Sequence, residues 1–170
     1  MRLRSLAFLV LALPLSTSPA AAWRDVPGEI SGRASVIDGD TIEVRGTRIR
    51  IGGIDAPESD QSCTRADGRS YRCGGAAAAF LDDMLAGRNV VCSASGTSYD
   101  RIVAACEVGG LDVGATMVAA GWAVDYARYS KGRYAADEAR ARSRSAGIWQ
   151  GDFVRPDEWR HSDQARGGRR

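Results

Sequence analysis

Histidine is almost missing from this chain: His161, near the C-terminus, is the only one in 170 residues. That leaves nothing for a metal centre built from several imidazoles, and it argues against Ser-His-Asp or Cys-His nucleophilic chemistry. Lysine is as scarce. Lys131 stands alone among the 23 basic residues, and the others are arginines. No CxxC pair occurs and no cysteine stands near the histidine, which argues against a zinc site. Nor is there an apolar run near the ~18 residues that a membrane span requires. The chemistry of this chain must therefore rest on carboxylates and arginines. Its length suits one domain, and 44% hydrophobic with 26% charged residues is the make-up of a globular chain, not a wholly disordered one.

The N-terminus reads as an export signal. Arg2 and Arg4 precede the apolar stretch from Leu6 to Leu13, Pro14 breaks it, and small residues lead to Ala20-Ala21-Ala22. This is the layout of a signal peptide with an A-x-A cleavage site, so residues 1–22 are expected to be removed. The mature protein is then secreted or periplasmic, with no membrane attachment after cleavage. Losing Arg2 and Arg4 brings the 23 basic residues level with the 21 acidic ones. A phosphate-bearing partner would have to be met by local arginines, not by a global positive field. In an oxidising compartment Cys63, Cys73, Cys92 and Cys106 are expected to pair. Four cysteines allow three pairings. Cys63–Cys73 and Cys92–Cys106 are favoured, because the first closes a short polar loop and the second brackets a stretch that reads as a hairpin around Tyr99.

Along the chain, residues 23–30 read as an irregular lead-in. Ala34–Ile37 and Thr41–Val44 read as strands joined by a tight turn at Asp38-Gly39. Arg48-Ile49-Arg50-Ile51 alternates charge with β-branched apolar residues, the mark of a strand with one face in a core. A polar loop is expected over 59–74 and a helix over 76–85. Strands are expected over 90–92 and 102–108 around a loop at 95–100. A helix capped by Asp112 is expected to run to Ala120, and a third helix from Tyr134 to Ala146. Five short strands with one helix inserted after the third predict an α+β, mainly β fold, a five-stranded OB-type barrel. The expected layout is the signal 1–22, one barrel domain over 23–161, and a basic disordered tail over 162–170.

Three features stand close together: Asp38-Gly39-Asp40-Thr41, Arg50, and Asp55-Ala56-Pro57-Glu58. If the strands pair as read, Asp40 begins the second strand where Asp55 ends the third. The two carboxylates can then share a hard cation, with the Ala56 carbonyl as a third oxygen. Glu58 lies near without needing to ligate. Singly, each has a plainer explanation: Asp38-Gly39 is a hairpin turn, Asp40 and Asp55 are solvated strand ends, Arg48 and Arg50 are the wet face of a barrel, and Arg101 is a loop-edge charge.

Together these residues resemble a known family. Val36-Ile37-Asp38-Gly39-Asp40-Thr41, followed by Arg48-Ile49-Arg50-Ile51-Gly52-Gly53-Ile54-Asp55-Ala56-Pro57-Glu58, is similar to the staphylococcal nuclease (thermonuclease) family. Weaker blocks follow in the right order: Tyr99-Asp100-Arg101, Gly109–Val113, Gly121-Trp122-Ala123 and Gly147-Ile148-Trp149. The resemblance implies a five-stranded barrel with three helices, and a Ca2+-dependent nuclease acting on DNA and RNA and leaving 3′-phosphate ends. It implies Asp40, Asp55 and the Ala56 carbonyl as metal ligands, Glu58 as general base, and Arg50 and Arg101 as catalytic, phosphate-binding arginines. Tyr99 and Tyr129 resemble positions flanking the nucleotide, and the protein is expected to act as a monomer. Relatives carry Tyr-Gly-Arg where this chain has Tyr99-Asp100-Arg101, which leaves two alternatives: Asp100 fits the glycine position, since Asp tolerates positive φ better than most residues, or its carboxylate holds the Arg101 guanidinium away from phosphate. The competing expectation is a non-catalytic OB module of the envelope that binds nucleic acid or protein. A third is an envelope interaction domain with a vestigial calcium site.

Overall fold

A computed structural model describes residues 28–167. The expected signal and the last residues of the expected tail lie outside them. Strands β1 (Glu29–Val36), β2 (Thr41–Val44) and β3 (Thr47–Ile51) form an antiparallel meander. Its inward positions are β-branched, and Ile42, Val44, Ile49 and Ile51 are fully buried. Such side chains lose little rotamer freedom on a pleated surface and pack well there. The chain then passes through the short β4 (Ile54–Asp55) and a small hairpin, β5 (Cys63–Thr64) with β6 (Ser70–Tyr71), into helix α1 (Cys73–Leu85).

Strands β7 (Asn89–Ser98) and β8 (Arg101–Val108) complete the barrel. β7 pairs antiparallel with both β1 and β8, and β8 reaches round to β3 in parallel, from Ile49↔Ile102 to Ile51↔Ala104. Five strands thus close into a mixed barrel, the mainly β fold that the sequence predicts. Closure removes the open edges on which another strand would pair. Ala77, Leu81 and Leu85 of α1 bury one stripe against the barrel core, together with Met117 and Val118.

The short β9 (Leu111–Asp112) precedes α2 (Val113–Ala119), and Asp112 caps that helix by accepting from the Ala115 N–H at 2.9 Å. Strand β10 (Val124–Asp125) pairs antiparallel with β4. Helices α3 (Ala127–Ser130) and α4 (Ala135–Ser143), a 3-10 turn over Gly147–Gln150, and α5 (Pro156–Gly167) finish the described chain. Both favoured disulfides are formed, Cys63–Cys73 and Cys92–Cys106. Such bonds persist in oxidising compartments. Among the described residues no helix is long and apolar enough to cross a membrane.

Four expectations need correction. The hairpin loop expected at 95–100 shrinks to a turn at Tyr99-Asp100, because pairing continues to Ser98↔Arg101 past a bulge between Ala94 and Gly96. The lead-in is shorter than expected, since β1 already begins at Glu29. Three helices become five, and the helix expected over 134–146 spans only Ala135–Ser143, with the 3-10 turn separate from it. Finally, the tail expected from residue 162 is helical as far as Gly167. Pro156 supplies a preset first helical residue, and Asp157 and Glu158 place negative charge at the positive end of the helix.

Candidate active site

Asp40 is delivered by the turn that precedes β2. The Asp38 carboxylate accepts from the Asp40 N–H (3.0 Å), folding the turn on itself. Gly39 lets that turn press onto its neighbours: a Cβ there would lie 2.7 Å from the Ala56 Cβ and 2.9 Å from the Ala77 Cβ. In the β2–β3 register Thr41 faces Arg50, and the Ile51 N–H donates to the Asp40 carbonyl at 2.8 Å. Strand alternation buries Ile49 and Ile51 and turns Arg50 to the opposite face, where Asp40 waits. Arg50 Nη1 donates to Asp40 Oδ1 (2.7 Å) and Nη2 to Asp55 Oδ1 (2.9 Å), so one planar fork joins the two carboxylates. Asp55 is held by the pairing of β4 with β10 and is only 1% exposed.

Glu58 stands on the turn after β4. Its N–H donates to the side chain of Gln61 (3.2 Å), and the buried Gln61 amide donates in turn to the Val154 carbonyl (2.7 Å). This one side chain ties the Glu58 turn to the segment that enters α5. From α5, Arg160 reaches back into the site. Its Nη1 donates to Asp55 Oδ1 (2.9 Å) and Glu58 Oε1 (2.7 Å), and its Nη2 to Asp55 Oδ2 (2.9 Å).

Arg101, the first residue of β8, donates to Thr41 Oγ1 at 3.3 Å and so points into the same site. Asp100 turns away and pairs with Arg48 (3.5 Å), leaving the Arg101 guanidinium facing the site. The positive φ of this turn falls on Tyr99 (56°), whose side chain is 98% exposed at the hairpin tip. Tyr129 packs edge-on against Tyr126, with ring centres 4.9 Å apart. Asp40, Arg50, Glu58, Arg101, Tyr129 and Arg160 all line one open cleft of ≈ 1120 Å³.

The charges are uneven. Asp40, Asp55 and Glu58 face two guanidinium groups, those of Arg50 and Arg160. Burial raises the Asp40 pKa from 3.8 to about 7; Arg50 opposes this, and Asp38 and Asp55 add to it. Burial works against the charge on Arg50, but Asp40 and Asp55 together outweigh it and raise its pKa.

A sequence model described as Staphylococcal nuclease homologue matches residues 48–151, more than half of the chain. This chain belongs to that family. A relative, "Succinoglycan biosynthesis protein ExoI" of Rhizobium meliloti (strain 1021), is 42% identical over 144 residues, covering 83% of this chain and 73% of the relative.

In this staphylococcal nuclease homologue the expected site residues divide. Asp40, Arg50, Asp55 and Glu58 converge, and Arg101 joins them through Thr41. Tyr99 and Tyr129 stand on the walls of the cleft. Ala56 donates its N–H to Asp40 Oδ2 (3.2 Å), which sets the residue whose carbonyl is the expected third ligand beside one of the two carboxylates. Among the described residues no three acidic, histidine or cysteine side chains form a metal-binding group. The donor set still fits a hard divalent cation: the polar atoms that meet are carboxylate oxygens, and three acids outnumber two guanidinium groups. Asp40 and Asp55 are the residues that would hold it. Two residues of the site, Gln61 and Arg160, were not visible from the sequence. Gln61 carries no signal of its own. Arg160 had one, the Pro156-Asp157-Glu158 helix start that places it on an ordered element.

Proposed function

We propose that this protein is an exported Ca2+-dependent nuclease that hydrolyses phosphodiester bonds of DNA and RNA. The observation that carries the reading is the ion-pair network that joins Asp40, Arg50, Asp55 and Glu58 (the last through Arg160), with Asp40, Arg50, Glu58 and Arg101 all lining one cleft. Asp40 and Asp55 would hold the calcium ion, which when bound would supply neutralising charge for an anionic phosphodiester and make water more acidic. The remaining work belongs to side chains. Arg50 and Arg101 present planar guanidinium groups that orient the phosphate and take up charge as it builds. The Glu58 carboxylate, which Arg160 engages through Oε1 only, accepts the proton of the attacking water, a contribution of roughly 10²–10⁴-fold. The exposed rings of Tyr99 and Tyr129 offer faces for bases, and base stacking is tolerant of sequence. A cleft that relies on local arginines agrees with the balanced mature charge.

The test is cleavage of DNA and RNA by the mature protein in calcium, repeated with chelator. Chelator-sensitive cleavage is expected, and Glu58→Gln should lower turnover at least roughly 10²-fold. Because Glu58 is partly exposed, its replacement should leave the melting temperature nearly unchanged. Intact nucleic acid under both conditions would refute the reading.

A second reading is a non-catalytic OB module of the envelope. It is favoured by the engagement of both Asp55 oxygens and of Glu58 by Arg160, and by a relative whose name places it in succinoglycan biosynthesis. Nucleic-acid binding without turnover in calcium would select it.

A further inference from the structure

Arg160 lies outside the 48–151 segment that the family model matches, yet it makes three hydrogen bonds to the acidic site. It engages both carboxylate oxygens of Asp55 and one of Glu58. Asp55 Oδ1 also accepts from Arg50, and of the Asp40 oxygens Oδ1 accepts from Arg50 and Thr41 while Oδ2 accepts from the Ala56 N–H. Asp55 Oδ2 accepts from Arg160 alone and Oδ1 from both guanidinium groups, so a cation that takes up the Asp55 oxygens competes with guanidinium groups for them. Arg50 is the poorer candidate to move, since its β3 position is fixed by the barrel and its side chain is 17% exposed. Arg160 is 30% exposed and faces the open cleft. The base of its helix is fixed by the Gln61–Val154 hydrogen bond and by the buried Pro156, so the side chain can leave without the helix detaching.

We propose that Arg160 is a built-in counter-cation of the acidic site, so that a divalent cation and this side chain of α5 compete for Asp55, and loading the ion releases Arg160 into the cleft. The inference rests on Asp40 and Asp55 being the cation ligands. Its consequence is that Arg160 weakens calcium binding and protects the buried carboxylates against their mutual repulsion when calcium is scarce.

The experiment is calorimetric titration of Ca2+ into the wild-type protein, Arg160→Gln and Arg160→Lys, with melting temperatures recorded with and without the ion. Arg160→Gln should bind calcium about tenfold tighter or more, since a charge-assisted pair no longer has to be broken. Arg160→Lys, which keeps the charge but loses the fork, should fall between. Arg160→Gln should also melt lower than wild type without calcium and gain more from its addition. Equal or weaker calcium binding by Arg160→Gln, including binding by neither protein, overturns the proposal. If Arg160→Gln does not fold without the ion, the comparison of Arg160→Lys with wild type decides the matter in the same way. Wild-type cleavage in calcium combined with equal affinities would remove the competition and leave the nuclease reading intact.

Discussion

Asp40 is subject to two opposing influences, and burial is the stronger. Arg50 lies 2.7 Å away and favours the charged form, yet the pKa still rises from 3.8 to about 7. The sign of the consequence follows from proton counting. Between those two values the folded state binds more protons than the unfolded state, so the stability that Asp40 contributes is present below about 4 and is lost as the pH rises through about 7. Asp40→Asn removes this dependence. Without divalent cations, the melting temperature of Asp40→Asn relative to wild type should become more favourable between pH 5 and pH 8; a constant difference would show that Asp40 titrates normally. Asp100 shows a neighbour in sequence losing to one in space. Next to Arg101 in the chain it could hold that guanidinium away from phosphate, but β3 brings Arg48 to it and Arg101 is left facing Thr41.

At the scale of elements, the turn carrying Glu58 is positioned by contacts that leave no slack. A Cβ on Gly74, in the first turn of α1, would lie 1.7 Å from the Glu58 carbonyl oxygen. Gly74→Ala must therefore push the Glu58 turn and the helix start apart. It should cost about 1–3 kcal/mol in thermal or denaturant unfolding and depress turnover as well, since Glu58 shifts. Gln61 acts between elements. Gln61→Leu leaves the Glu58 N–H and the Val154 carbonyl without their partner, at about 1–3 kcal/mol for each group that remains buried. Amide hydrogen exchange should accelerate selectively over the segment entering α5, before the barrel strands respond. Unchanged exchange there would mean that α5 is held by other contacts, such as the Arg155–Glu138 pair at 3.5 Å.

At the scale of the whole molecule, the two disulfides serve different parts. Cys92 and Cys106 face each other across β7 and β8 within the barrel core, and both are buried. Cys63–Cys73 joins the small hairpin to the start of α1 and packs with Val124 and Ile148 in a separate cluster. Replacing Cys92 and Cys106 together by alanine should lower the unfolding free energy by about 2–4 kcal/mol, measured by denaturant titration. Replacing the other pair should instead loosen the Glu58 side of the cleft, with the change in hydrogen exchange confined to residues 59–75. Global loss of protection from that second variant would contradict a separate role for the smaller cluster.

Periodicity and punctuation in the chain were enough to predict the barrel. The alternation in Arg48-Ile49-Arg50-Ile51 can satisfy a core only as a strand, and Asp112 caps its helix by a local rule. Local order also determined that Asp40, Arg50, Asp55 and Glu58 would share one side, because a short antiparallel meander has few ways to fold. The tertiary structure alone decided what reached those groups from a distance. Arg160 comes from 105 positions beyond Asp55, and Gln61 reaches 93 positions to Val154. No periodicity connects such positions. They meet because closing the barrel and docking the final helix bring distant surfaces together, and a buried carboxylate stays charged only where some cation, wherever it lies in the chain, can reach it.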